Sequence, residues 1–331
     1  GAEPGATGFN LIGNPYPAPI DWDLVSLPPS VSAALVIKDN VDNAGSGAGN
    51  YMYYLQGGPN VGSFNGVVAS GQAFWIYTTD NTTLEINESH KVSDPNPVVV
   101  REKTLANVLR INLEGNGRHD ETVVWLKDEA TDGIDLKFDA PKKVNDYLNL
   151  YTILDNSRYA INGLKDFGCS RALKIGISDI NGDSLNVVAP GVYSLNFLDI
   201  ETFITEYNFS LIDKFRNKII NLRSQPVYSF EITADPKTFG EDRFELVVSQ
   251  PTFTRDNVVH YDDVCSETPA SITVEASNPN ASYFVRDDQG QTVSDVVKGN
   301  GNALVLSVPG ANLNEGINKL MVYAQNGTCE A

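Results

Sequence analysis

Apolar residues in this chain recur at every second position, in short runs, and that period constrains the fold more than any other feature. Ile272, Val274 and Ala276 alternate with other residues; so do Leu304, Leu306 and Val308, and then Leu320, Val322 and Ala324. A period of two puts each set on one face of a β-strand. Helical periodicity is nearly absent, and a single helical turn is expected within 141–149. Gly, Asn, Asp, Ser and Pro separate the apolar runs, which are spaced roughly 8–20 residues apart, the spacing of a sandwich. The Tyr and Phe content favours strands as well. The expected fold class is all-β: tandem β-sandwich domains ending in an immunoglobulin-like sandwich.

At 331 residues the chain is too long for one ordinary core, and two or three domains are expected. Residues 1–97 read as an N-terminal β domain. Its strands are expected at 9–12, 34–37, 51–55, 73–77 and 83–86, and Pro15 and Pro17 stop the first ladder. Asp94-Pro95-Asn96-Pro97 reads as a stiff joint, because each proline pushes the residue before it to extended geometry. Residues 98–250 hold about ten more candidate strands. They form a second sandwich domain or one module with 1–97. Residues 251–331 read as an immunoglobulin-like domain, with 251–263 as its linker and a hairpin-like turn at Gln289-Gly290-Gln291.

The formal net charge of −18 excludes the basic faces of nucleic-acid binders and disfavours docking on anionic lipid. No run approaches the roughly 20 apolar residues of a membrane helix, so no membrane insertion is expected. No signal peptide opens the chain. It reads as a piece of something longer.

No catalytic constellation assembles in the sequence, and no enzyme activity is expected. Gly168-Cys169-Ser170-Arg171-Ala172 lacks the following helix of a nucleophile elbow. His90, His119 and His260 share no metal-binding motif. Paired carboxylates cannot be located without geometry. Asp128, Asp132 and Asp135, with Glu129 and Asp139 beside them, have the oxygen chemistry for Ca2+. The other reading is a solvated turn bent at Gly133. Asp179, Asn181 and Asp183 have D-x-N-x-D spacing but lack the glycine and the later glutamate of a calcium loop. Tyr51, Tyr53 and Tyr54 on one strand, and Phe74, Trp75 and Tyr77 on another, could present a sugar-binding platform. The alternative is core and cross-strand packing.

The stretch Gly8-Phe9-Asn10-Leu11-Ile12-Gly13-Asn14-Pro15-Tyr16-Pro17, followed by Asp21-Trp22, resembles the G-W-N-L-I-G-N-P-Y-P opening of modules in Bacteroidota type IX secretion substrates. Phe9 stands where that pattern has Trp. Gly71-Gln72-Ala73-Phe74-Trp75-Ile76 is similar to a later strand of the same modules. Pro226-Val227-Tyr228-Ser229-Phe230 and Asp242-Arg243-Phe244-Glu245-Leu246 resemble their closing strands, so the likeness runs over about 8–250. Cys265-Ser266-Glu267-Thr268-Pro269 and Asn326-Gly327-Thr328-Cys329 look like the ends of immunoglobulin-like repeats in giant, gliding-adhesin-like surface proteins of these bacteria.

The resemblance implies export by the type IX secretion machinery and display outside the cell, on the outer surface. It implies a structural or adhesive module, with surface glycans or other surface proteins as partners. The second reading is a carbohydrate-binding module of a secreted polysaccharide-degrading enzyme. Cys265 and Cys329 stand at the two ends of the last domain, and a Cys265–Cys329 disulfide is expected; two free thiols are the alternative. Closing such a loop would contribute roughly 4 kcal/mol in the chain-entropy account. Cys169 is expected to be a small buried hydrophobe. Asp183-Ser184-Leu185 resembles the O-glycosylation acceptor of these bacteria.

Overall fold

The alternating pattern becomes strands along most of the chain, and no helix longer than a three-residue 3-10 turn interrupts them among the described residues. The computed structural model describes residues 8–39, 49–93, 105–179, 188–203, 207–250, 259–265, 267–326 and 329–330. The joint at 94–97, Asn181, Asp183 and Ser184 lie outside them. The fold is all-β, with sheets packed as sandwiches. The chain divides into two units, Gly1–Ser249 and Gln250–Ala331.

The first unit opens with β1 (Phe9–Gly13), β2 (Ile20–Asp21), β3 (Val31–Lys38), β4 (Tyr51–Leu55), β5 (Asn60–Val61), β6 (Val67–Val68) and β7 (Ala73–Thr78). An antiparallel sheet runs β1-β7-β3-β4-β5, and β2 pairs with β6. Every residue of β3 but Lys38 is buried, because both faces of this sheet are covered. Leu35 and Ile37 join Trp22 and Phe74 on one face. Val36 joins Tyr53, Trp125 and Phe138 on the other. Trp22 is fully buried, and its indole N–H donates to the Ala33 carbonyl at 2.8 Å.

The expected strand at 83–86 does not form. The ladder that precedes it, β7, has both edges taken by β1 and β3. Leu84 and Ile86 pack instead as half-buried side chains against the Trp22 cluster.

A second, larger sheet follows. Its strands are β8 (Val108–Gly115), β9 (Arg118–Leu126), β10 (Ala140–Pro141), β11 (Asn149–Leu154), β12 (Ser157–Leu164), β13 (Ser170–Ser178), β14 (Gly191–Leu198), β15 (Asn208–Asp213), β16 (Lys218–Asn221), β17 (Val227–Ile232) and β18 (Gly240–Ser249). The order is β16-β15-β18-β13-β11-β12-β9-β8-β14-β17, with β10 on β12, and only β9 and β12 run parallel. The sheet curls over itself. Phe230 of β17 and Phe244 of β18 lie far apart in the strand order, yet their ring centres are 4.8 Å apart in one core with Tyr193 and Phe209. Asn116 and Gly117 join β8 to β9 with φ of 51° and 69°, the left-handed pair that a two-residue type I′ hairpin requires. No helical turn forms at 141–149; after β10 the chain runs open to β11.

The second unit holds β19 (Val259–Tyr261), β20 (Ala270–Val274), β21 (Ser282–Arg286), β22 (Val297–Lys298), β23 (Leu304–Val308), β24 (Met321–Asn326) and β25 (Cys329–Glu330). One sheet runs β19-β20-β23 and the other β22-β21-β24-β25. That division is an immunoglobulin-like sandwich with its fourth strand on the second sheet. Ile272, Val274, Leu304, Leu306, Val308 and Ala324 lie in its core. Ala276 is exposed, because β20 ends at Val274. At the predicted turn, the Asp287 carboxylate accepts the Gln289 and Gln291 N–H groups and Gly290 takes φ 78°.

Candidate functional site

The acidic loop between β9 and β10 directs its carboxylates at backbone rather than at a common centre. Asp135 accepts the Thr131 N–H at 2.6 Å. Asp132 pairs with Arg171 at 2.8 Å. Asp139, fully buried, accepts the N–H groups of Asp135 at 2.6 Å and Gly163 at 2.7 Å. Gly163 is required there, since a Cβ would meet the Phe138 backbone oxygen at 2.7 Å. Asp128, Asp132 and Asp135 therefore form no ligand set for Ca2+, and no group of three or more His, Cys, Asp or Glu could hold a metal among the described residues. Nearness in sequence suggested a cluster, but Asp135 and Asp139 cap local N–H groups while Asp132 and Glu129 pair with Arg171 and Lys127. Burial pushes the Asp139 carboxyl up to about 7, against the pull of its two N–H donors.

Two buried ion pairs leave no mark in the sequence. Lys142 Nζ lies 2.5 Å from Asp120 Oδ2, with both side chains almost wholly buried. The same oxygen accepts the Leu150 N–H at 2.5 Å. Asp120, Lys142 and Leu150 thus join β9 to the β10–β11 segment. Arg243 and Asp213, both side chains fully buried, meet at 3.0 Å. Arg243 also donates to the Glu231 carbonyl at 2.9 Å and to the Thr238 carbonyl. Tyr228 donates to Asp213 at 3.0 Å, so one polar knot holds β15, β17 and β18. Burial raises the Asp213 carboxyl, but Arg243, the Arg216 N–H and Tyr228 together hold it below the usual range. Burial, and then Asp213, pushes the Tyr228 hydroxyl up to about 12. These charges are neutralised in place, which suits a scaffold. An isolated cation or anion inside the sheet would have been a sequence-level clue; partnered ones separated by 22 and 30 residues were not.

The aromatic strands divide between core and surface. Tyr53, Tyr54 and Phe74 are buried. Tyr51, Trp75 and Tyr77 are half-buried. Lys143 reaches over this second group, 3.9 Å from the Trp75 ring centre and 5.1 Å from those of Tyr51 and Phe9. The Tyr53 hydroxyl accepts the Lys143 backbone N–H at 2.7 Å and fixes that segment. The rings are not coplanar: Tyr51 meets Trp75 at 82° and Phe9 meets Tyr77 at 70°. A flat sugar face finds no platform across edge-to-face rings, whereas a cation does. Here the cation comes from the chain itself.

The cysteines depart from expectation. Cys265 is free and exposed. Cys169 and Cys329 are both disulfide-bonded. The Cys265–Cys329 disulfide is thus overturned, and Cys169 is an exposed cystine half rather than a buried hydrophobe. Standing at the two ends of a segment does not bring two sulfurs together. Cys265 follows β19 in one sheet and Cys329 sits on β25 in the other, and the Cys329 sulfur is already taken in a disulfide that leaves Cys265 a free thiol.

No curated protein and no solved structure matches this chain. Residues 3–248 match a family model described as "Domain of unknown function (DUF8693)". That span takes in nearly all of the first unit and well over half of the chain, which therefore belongs to the DUF8693 family.

Proposed function

We propose that this chain is a non-catalytic structural or adhesive module of a secreted cell-surface protein exported by the type IX secretion system. The observation that carries the reading is the use made of its reactive groups. Buried Asp120, Asp139, Lys142, Asp213 and Arg243 are paired or capped, and Lys143 covers the half-buried Tyr51 and Trp75 rings. Side chains spent this way hold strands together. A cystine supports the same reading, because disulfides persist in oxidising surroundings outside the cytosol. The type IX likeness of Gly8–Pro17 and of the closing strands is the ground for naming that export route. Partners on this reading are the secretion machinery and then other surface proteins met by the assembled molecule.

Removing residues 8–249 from the parent protein tests it. Surface attachment of the producing cells should fall while export of the remainder continues. Unchanged attachment would overturn the proposal. A glycan array probed with the whole chain should stay blank; a reproducible hit would favour the carbohydrate-binding reading instead.

A further inference from the structure

Of the two buried ion pairs, only Lys142–Asp120 sets an amine against a carboxyl carbon. Nζ lies 2.5 Å from Oδ2, with the two side chains 1% and 2% exposed. Both partners are held from behind. Asp120 lies within β9, in register with Leu113 of β8, and its Oδ2 also accepts the Leu150 N–H at 2.5 Å. Leu113 and Leu150 are themselves fully buried. The Lys142 backbone N–H donates to the Arg158 carbonyl of β12 at 2.8 Å. The other lysine–aspartate contacts differ: Lys38–Asp146 and Lys174–Asp242 have side chains open to water. The second buried pair, Arg243–Asp213, offers a guanidinium, which stays protonated and is no nucleophile.

We propose that Lys142 and Asp120 condense into an isopeptide bond, a covalent staple between β9 and the segment that joins β10 to β11. The ion pair is the reactant. A proton passing from Nζ to the carboxylate across their contact leaves a neutral amine against a neutral acid. The Nζ–Cγ bond then forms and the Cγ–Oδ1 bond breaks. Two of the three ammonium protons leave with Oδ1 as water, and the third stays on the amide nitrogen. Oδ2 remains as the amide oxygen and keeps the Leu150 N–H, which also steadies the negative charge that builds there during attack. No oxidant, cofactor or second protein enters the balance, so the bond can form in any compartment. Free amines and acids do not condense in water, and two features of the site change that. Fixed contact supplies an effective concentration on the order of 10⁵ M or more for well-oriented groups. Burial excludes the water that would drive the reaction back.

Mass spectrometry of the whole 331-residue chain tests this. After folding, reduction and denaturation, the wild-type chain should be lighter than its sequence requires by the mass of one water. Trypsin should then release residues 119–127 linked to residues 138–143, uncut after Lys142. Lys142→Arg keeps a cation but has no condensing amine, and Asp120→Ala has no carboxyl carbon; each should carry its full mass and yield no linked fragment. Wild-type chain held in urea from synthesis onward should also keep its full mass, because the contact exists only in the fold. A folded wild-type chain of full mass overturns the proposal, as does a water loss without the linked fragment. So does a water loss that persists in Lys142→Arg, which would place it elsewhere, as a succinimide at Asp132-Gly133 would.

Discussion

Asp139 makes stability depend on pH in the neutral range. Its carboxyl is buried and titrates near 7 in the folded chain, against 3.8 for an ordinary aspartate. An acid whose proton is held more tightly when folded adds stability below its unfolded value. That stability is lost as pH rises through the window from about 4 to 7. Relative to Asp139→Asn, the wild-type chain should gain stability as pH falls from 7 to 4. The gain is bounded at about 4 kcal/mol by the size of the shift. Urea midpoints of both proteins across that range would check it; parallel profiles would refute it. Nothing in the sequence marked Asp139 apart from Asp135 or Asp132. The distinction is made by Gly163, whose missing Cβ lets the loop approach β12 closely enough to bury one carboxylate.

Between strands, the Lys142–Asp120 pair is the most exacting contact. Lys142→Met leaves Asp120 buried beside the Leu150 N–H with no cation. Breaking a buried pair in this way costs roughly 3–5 kcal/mol. Adding Asp120→Asn removes the orphaned charge and keeps an acceptor for Leu150, so the double variant should recover part of the loss. A double-mutant cycle by urea unfolding measures the coupling, and strict additivity would show that the pair contributes nothing specific. The strands themselves were largely legible where both faces are covered. β3 reads as an apolar run, and β20 and β23 read as clean alternation. Val259–Tyr261 was not legible, because all three residues of β19 are exposed and resemble linker. Residues 83–86 looked like a strand on composition alone, and failed for want of a free ladder beside β7. Cross-strand polar knots were invisible for a related reason. Arg243 and Asp213 are 30 residues apart in sequence and meet only through the β15–β18 register.

At the scale of the molecule, the all-β class follows from a period repeated across hundreds of residues, so local errors do not disturb it. Cysteine pairing has no such redundancy, since one position decides it. The three cysteines divide into two in disulfide linkage and one exposed thiol on the stretch after β19. Iodoacetamide added to the native, unreduced chain should therefore label one cysteine, and peptide mapping should place it at Cys265. Unfolding in denaturant without reductant should leave that count unchanged, because exposure of the backbone does not open a cystine. Reduction before alkylation should raise the count to three. Label at Cys169 or Cys329 without reductant would contradict the linkage. No label at Cys265 in the unreduced, denatured chain would restore the pairing first expected from the sequence. Cys265→Ser supplies the complementary arm: it should abolish labelling of the unreduced chain while leaving its urea midpoint within about 0.5 kcal/mol of wild type, as an exposed substitution does. If instead the thiol exchanges with the cystine, label on the wild-type chain should spread from Cys265 to Cys169 and Cys329 on standing at alkaline pH, while Cys265→Ser stays unlabelled.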